Sequence, residues 1–398
     1  MIFKNFNLSE PLQRALKSAG YEQPTPIQQQ AIPILLQNKD LLGCAQTGTG
    51  KTAAFALPMI ESLYRRATDD NGRRPIRGLV LCPTRELAAQ IGDSFKTYSR
   101  YTEMRHAVIF GGVPQWPQQV KLNQGIDVLI ATPGRLLDLI GQGYIHLNHL
   151  EWFVLDEADL MLDMGFITDI KKVIAMLPAE RQSVFLSATM PPEASRLAAN
   201  ILHQPVRVDV TEQKSSADDI DQSLYFVSKP DKRALLIHLL GRSGIANALV
   251  FTRTKHGADK VARSLNQAGI RSEAIHGNKT QGARIKALGD FKNRKTRVLV
   301  ATDIAARGID ISNLSMVINF ELPNVAEMYV HRIGRTGRAG AGGSALSFCD
   351  SDEQSYLRDI HKLLTKNIPV VTDHPFNFKK QTVYLTPSIN EARKSKVL

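Results

Sequence analysis

The sequence predicts an α/β protein built from two doubly wound parallel sheets in tandem, and three observations predict it. Short runs of valine, isoleucine and leucine alternate with longer amphipathic stretches from one end to the other. Continuous apolar runs of this kind suit parallel strands covered on both faces. The chain has 398 residues, a length that suits two domains, each with a full-sized core. A polar segment at 210–221, with Ile220 its only large apolar side chain, divides the two series of runs. Repeated strand–helix–strand units on either side then make a doubly wound sheet twice.

Taken in order, strands are expected at 40–44, 78–82, 106–110, 128–131, 152–156 and 183–187 in the first half. In the second they are expected at 248–252, 271–275, 297–301, 316–319 and 344–348. Helical patterns such as 257–268 and 281–292 lie between them, and a helix-like run at 353–364 precedes an irregular, basic end. The expected division is a first domain at 1–209, a linker at 210–221, a second domain at 222–365 and a short extension at 366–398. Two sheets on one short joint are expected to face each other across a cleft.

Composition excludes several classes. Hydrophobic residues make up 43% and charged ones 22%, the range of globular chains rather than disordered ones. No apolar run reaches the roughly 18 residues of a membrane span. The N-terminus carries Lys4 and Glu10 without a continuous apolar segment, so no signal peptide is read. Three cysteines, Cys44, Cys82 and Cys349, lack metal-ligand spacing and suit a reducing cytoplasm. Residues 1–210 hold 21 basic and 20 acidic side chains, and residues 211–398 hold 29 and 18. A basic half beside a neutral one fits a polyanionic partner, and charge alone fits a soluble basic surface equally well.

The chemistry is concentrated in short motifs. Ala45-Gln46-Thr47-Gly48-Thr49-Gly50-Lys51-Thr52 follows a strand and opens a helical run, the context of a phosphate-binding loop. Gly48 and Gly50 let backbone N–H groups close on a polyphosphate. Lys51 would reach the β- and γ-phosphates, and the Thr52 hydroxyl would help hold Mg²⁺. Ala45 stands where the usual pattern has its first glycine. Further on, an apolar run ends in Asp156-Glu157-Ala158-Asp159. That puts Asp156 at a strand tip beside the loop, where it can bind Mg²⁺, and Glu157 where it can orient and deprotonate water. The second half offers His331-Arg332-Ile333-Gly334-Arg335-Thr336-Gly337-Arg338. Its guanidinium groups could reach a γ-phosphate or could touch nucleic acid alone.

The ordered series GYEQPTPIQ, AQTGTGKT, PTRELA, Gly111-Gly112, TPGR, DEAD, SAT, VFTRT, ATDIAARGID and HRIGRTGR resembles a DEAD-box RNA helicase of superfamily 2 over nearly the whole chain. The flanks and the segment after Asp350 look most like the bacterial RhlE-type subgroup. The resemblance implies two RecA-like domains, and ATP and Mg²⁺ as ligands. It implies that Gln28 reads the adenine edge, with Phe3 stacking on the ring and Tyr21 and Thr25 supporting the pocket. Asp310 would bind the ribose, and Arg335 and Arg338 would act as arginine fingers. Ser187, Thr189, Asp159 and His331 would couple hydrolysis to domain closure. The Mg²⁺ contacts of Thr52 and Asp156 would run partly through water. The Ala45 departure also occurs in this family.

The implied RNA track carries Thr84, Arg85, Gly112, Thr132, Gly134 and Arg135 in the first half. In the second half it carries Thr252, Arg253, Gly277, Gln281, Arg284 and Thr302. Hydroxyls and glycines allow close approach to phosphates and 2′-OH groups, contacts that carry little base information. Arg85 or Arg284 could equally serve as a salt-bridge partner. The expected activity is RNA-stimulated ATP hydrolysis with local, non-processive unwinding of short duplexes or remodelling of RNA–protein complexes. An ATP-gated RNA clamp or assembly platform uses the same residues, and a DNA translocase is a third reading. A cytoplasmic monomer is expected, with ribosome precursors or the RNA decay machinery as candidate partners and no membrane.

Overall fold

The computed structural model describes residues 2–46, 48–66, 74–210, 220–241, 245–306, 314–336, 343–364 and 367–377. They form two compact units, each centred on its own parallel sheet. The first sheet contains β1 (Leu41–Ala45), β2 (Gly78–Leu81), β3 (His106–Ile109), β4 (Val128–Ala131), β5 (Trp152–Leu155), β6 (Gln182–Ser187) and β7 (Val206–Val210), in the order β3-β4-β2-β5-β6-β1-β7. Side chains alternate across it. Val80, Val154 and Val184 enter one apolar layer, while Leu79, Leu81, Phe153 and Phe185 enter the other. Both faces are dry, which is why these strands read as unbroken apolar runs.

The second sheet contains β8 (Asp221–Phe226), β9 (Ala248–Thr252), β10 (Ser272–Ile275), β11 (Val298–Thr302), β12 (Met316–Asn319) and β13 (Ser344–Cys349), in the order β10-β11-β9-β12-β13-β8. Two strands, β7 and β8, escape a search for continuous apolar runs. Both are edge strands, and the sequence of β7, Val-Arg-Val-Asp-Val, alternates because only part of it is covered. Both strands abut the segment expected to be a linker, of which 211–219 lie outside the described residues. Ile220 is not a linker residue in packing terms, being 5% exposed within the core of the second unit. Residues 367–377 also join that unit: Leu224 N donates to Pro369 O at 2.8 Å and Val371 N to Leu224 O at 2.9 Å, which covers the β8 edge.

Parallel pairing sets the location of the chemistry. Cys44 lies beside Ser187, Leu155 beside Leu81, and Leu81 beside Ala131. The C-terminal tips of β1, β6, β5, β2 and β4 therefore end along one sheet edge, where open α/β sheets bind ligands. In the second sheet Thr302 lies beside Thr252 and Ile275 beside Ala301, which aligns those tips likewise.

Candidate nucleotide and nucleic-acid site

The phosphate loop runs from the end of β1 into the helix Lys51–Arg65. Gly48 and Gly50 have φ of 85° and 95°, a left-handed backbone that side-chain-bearing residues rarely adopt. At Gly50 a Cβ would also run into the Gln28 amide and stand 2.9 Å from Thr25 Oγ1. Lys51 is buried, and its Nζ donates to Ala45 O at 2.9 Å. Thr49 Oγ1 donates to Gln46 O at 2.7 Å, and Thr52 is half-buried in the first helical turn. Thr47 lies outside the described residues. The loop's curvature and its buried cation fit a polyphosphate.

Gln28 sits in the helix Pro26–Leu36 and is 2% exposed. Its Oε1 accepts from Thr25 N at 2.9 Å and its Nε2 donates to Gly50 O at 3.1 Å. The amide thus ties this helix to the end of the phosphate loop, a link that motif reading did not supply. One N–H and one lone pair remain for a base edge. Phe3 and Tyr21 meet edge-on at 5.8 Å, and the Tyr21 hydroxyl lies 2.7 Å from that of Tyr98. Tyr98 is a further member of this cluster that no motif announces.

Asp156 follows β5 at the same sheet edge as the loop, with β6 between β1 and β5. The two strands are therefore about 10 Å apart, and the long Lys51 side chain bridges the gap electrostatically. Burial pushes the Asp156 carboxyl up to about 6, with Lys51 opposing the shift and Glu157 adding to it. Glu157 has φ 54° and ψ 54°, a left-handed conformation that is costly for a glutamate and that clusters at functional sites. Its N–H donates to Asp156 Oδ1 at 3.0 Å.

The intervening strand carries the next partner. Asp159 Oδ2 accepts from both the N–H and the Oγ1 of Thr189 at 2.9 Å. Ser187 Oγ accepts from Asp159 N at 3.2 Å and donates to Thr189 O at 2.6 Å. One hydrogen-bonded cluster therefore joins the acidic segment to the end of β6.

In the second unit, one arginine of the 331–338 segment is held in the framework. Arg332 is 1% exposed and forms a two-point ion pair with Asp303 at 2.6 and 2.7 Å. It also donates to Asn319 Oδ1 at 3.0 Å and Glu321 O at 2.7 Å. The expected basic turn is therefore in part a helix end, Ala326–Ile333, whose Arg332 is a framework residue. His331 lies in that helix and Arg335 just beyond it. Arg338 and Asp310 lie outside the described residues.

Helix starts organise the remaining positions. Thr84 caps the helix Arg85–Tyr98 by accepting from Leu87 N at 3.2 Å, and Thr132 precedes the helix Pro133–Gly141. Gly112 has φ 73°, and a Cβ there would meet the Arg85 guanidinium. Arg135 Nη2 donates to Val113 O at 3.3 Å. Gly134 and Gly277 have neither a left-handed backbone nor a neighbour within 4 Å of a built Cβ, so packing does not demand glycine at either. In the second unit, Arg253 N donates to Glu321 Oε2 at 2.7 Å, and the Arg253 guanidinium lies 3.8 Å from Glu353. Glu353 is fully buried with Lys232 and Asp350, an ionic support that motif reading misses. Gln281 and Arg284 share a face of the helix Gln281–Lys292, and Thr252 and Thr302 end neighbouring strands.

Residues 25–197 match the family model of the DEAD/DEAH box helicases, and residues 231–340 match the helicase conserved C-terminal domain. The chain is 41% identical to the ATP-dependent RNA helicase CshA of Listeria monocytogenes, covering 92% of this chain and 69% of the relative. The chain belongs to the DEAD-box helicases. It is an ATP-dependent RNA helicase, an enzyme whose ATP hydrolysis depends on RNA. The CshA helicase of Bacillus subtilis is 42% identical over 90% of this chain and 72% of its own length. The structure of Saccharomyces cerevisiae Dbp5 bound to RNA and ADP BeF3 matches with a TM-score of 0.79 at 29% identity. That match covers 93% of this chain and 95% of Dbp5. The two sheets of this helicase are thus RecA-like. The expected RhlE-type placement is not supported, since these bacterial relatives are CshA proteins. Among the described residues no helix is long and apolar enough to cross a membrane.

Proposed function

We propose that this helicase hydrolyses ATP at the edge formed by β1, β6 and β5 and uses turnover to separate short RNA duplexes locally. Gln28, Phe3, Tyr21 and Thr25 bind the adenine side, and the loop from Ala45 to Thr52 binds the phosphates. Glu157 orients the attacking water and takes its proton, and its strained backbone supports that assignment. Thr52 and Asp156 would hold Mg²⁺, partly through water, and the ion would supply positive charge at the phosphates. Among the described residues no group of three His, Cys, Asp or Glu side chains could cage a metal ion. A hard cation resting on one carboxylate, water and substrate phosphates is the arrangement Mg²⁺ favours.

The observation that supports the coupling is the Ser187–Thr189–Asp159 cluster, because its hydrogen bonds tie the acidic segment to the end of β6. ATP and RNA together favour a closed state in which Arg335, Arg338 and His331 complete the site and Asp310 takes the ribose. RNA lies along Thr84, Arg85, Gly112, Thr132, Gly134 and Arg135, continuing through Thr252, Arg253, Gly277, Gln281, Arg284 and Thr302. The glycines at 134 and 277, which packing does not demand, support this track by leaving room for a backbone. We place the protein in the cytoplasm as a monomer acting on RNA or RNA–protein assemblies, a location that suits its free, buried cysteines.

The test compares strand separation of a short RNA duplex with ATP turnover in the full chain. Separation that depends on ATP and RNA is expected. RNA retention gated by ATP without separation would replace unwinding with clamping.

A further inference from the structure

Trp116 is 72% exposed, the largest exposure among the big apolar side chains described. Its helix, Trp116–Asn123, turns Gln118 and Leu122 inward. A residue two positions before Gln118 is rotated by about 200° and points away from the core. Leaving an indole in water forgoes the gain of burying it, and the described residues of the first unit leave it uncovered.

The platform beneath it is nonetheless built. Gln118 Oε1 accepts from Phe110 N at 3.0 Å, and its Nε2 donates to Phe110 O at 3.3 Å and Pro114 O at 3.2 Å. One buried amide thus closes the loop that leads into Trp116. From the other side Arg135 Nη2 holds Val113 O, and the Gln115 and Gln142 amides pair at 2.6 Å. Gln142 is in turn fixed by Asp138 at 2.7 Å. The Gly112 end of the loop lies against the Arg85 guanidinium. Trp116 lies four positions after Gly112, a span of at most about 14 Å. An exposed indole therefore stands at the end of a braced loop flanked by Arg85 and Arg135.

We infer that Trp116 is a stacking platform for an unpaired RNA base beside the backbone track. The inference rests on the proposed RNA track across Arg85, Gly112 and Arg135, to which this loop is continuous. A guanidinium-lined loop holds phosphates, and an aromatic face next to it takes the base of the same strand without reading its edge. The site favours single-stranded over fully paired RNA, because a stacked base inside a duplex presents no free face.

The chain provides its own reporter. It has two tryptophans, and Trp152 is 2% exposed in the core. Titrating single-stranded RNA into the 398-residue chain with an ATP analogue should quench the exposed, red-shifted emission. Trp116→Phe should abolish that quench while keeping most of the affinity, because phenylalanine still stacks. Trp116→Ala should weaken binding by about five- to a hundredfold, the range of base–aromatic stacking. Unchanged emission in a parent protein that binds RNA, or equal affinity in Trp116→Ala, overturns the inference and leaves the track intact. If the parent binds and Arg85→Ala and Arg135→Ala do not weaken binding, the track itself fails. RNA quenching that survives in Trp116→Phe overturns the assignment to this indole.

Discussion

Replacing Asp159 by asparagine should loosen the first unit and uncouple it from RNA. Asp159 Oδ2 takes two hydrogen bonds from Thr189, and Oδ1 takes one from Leu160 N at 3.0 Å. An amide has one oxygen, so whichever way it turns, an NH₂ group faces a backbone donor. The Thr189 hydroxyl can rotate to accept, but the Thr189 N–H cannot. Losing one charge-assisted bond and burying an unmatched donor costs about 2–4 kcal/mol. Thr189→Val removes only the hydroxyl's bond and should cost about 1–2 kcal/mol. The double variant should fall short of the sum by about 1 kcal/mol, because both changes remove the same contact. Urea unfolding followed by tryptophan fluorescence isolates this unit, since Trp116 and Trp152 both lie within it. The Asp159→Asn midpoint should drop by about 1 M or more, and RNA stimulation of its ATPase should be largely lost. A parental midpoint, or simple additivity of the two substitutions, would refute the cluster as the link between the acidic segment and β6.

Glu157→Gln should keep ATP and RNA binding while slowing hydrolysis by about 10²–10⁴, the contribution of a general base; a parental rate in single-turnover assays with RNA would show that Glu157 is not the base. Arg335→Lys should lower RNA-stimulated turnover by about 10³ or more, because lysine keeps the charge but loses the planar fork of an arginine finger; a loss below tenfold would place Arg335 outside the transition state. Gly50→Ala should raise the ATP concentration for half-maximal rate, since it strains a left-handed residue by about 1–2 kcal/mol and displaces Gln28; calorimetry showing unchanged ATP affinity would contradict this. RNA affinity should fall steeply between low and high salt, as expected for phosphate contacts, and a flat salt response would count against a backbone track.

The sequence by itself determined the repeated α/β plan, the phosphate loop and the acidic strand tip. Those features are local: an apolar run needs no partner to declare a buried strand, and a glycine–lysine loop carries its conformational demand in its own residues. Edge strands β7 and β8 were hidden because partial cover leaves an alternating or polar pattern that also suits a linker. The tertiary structure alone decided which side chains meet. It put β6 between the loop and the acids, so that Ser187 and Thr189 became the partners of Asp159. It also buried Arg332 against Asp303, from a motif in which each arginine looks alike. Gln118 and Trp116 are two residues apart on one helix, yet one locks a loop and the other stands in water. Residue type and spacing allow several partners to every polar side chain, and only packing of distant segments selects one.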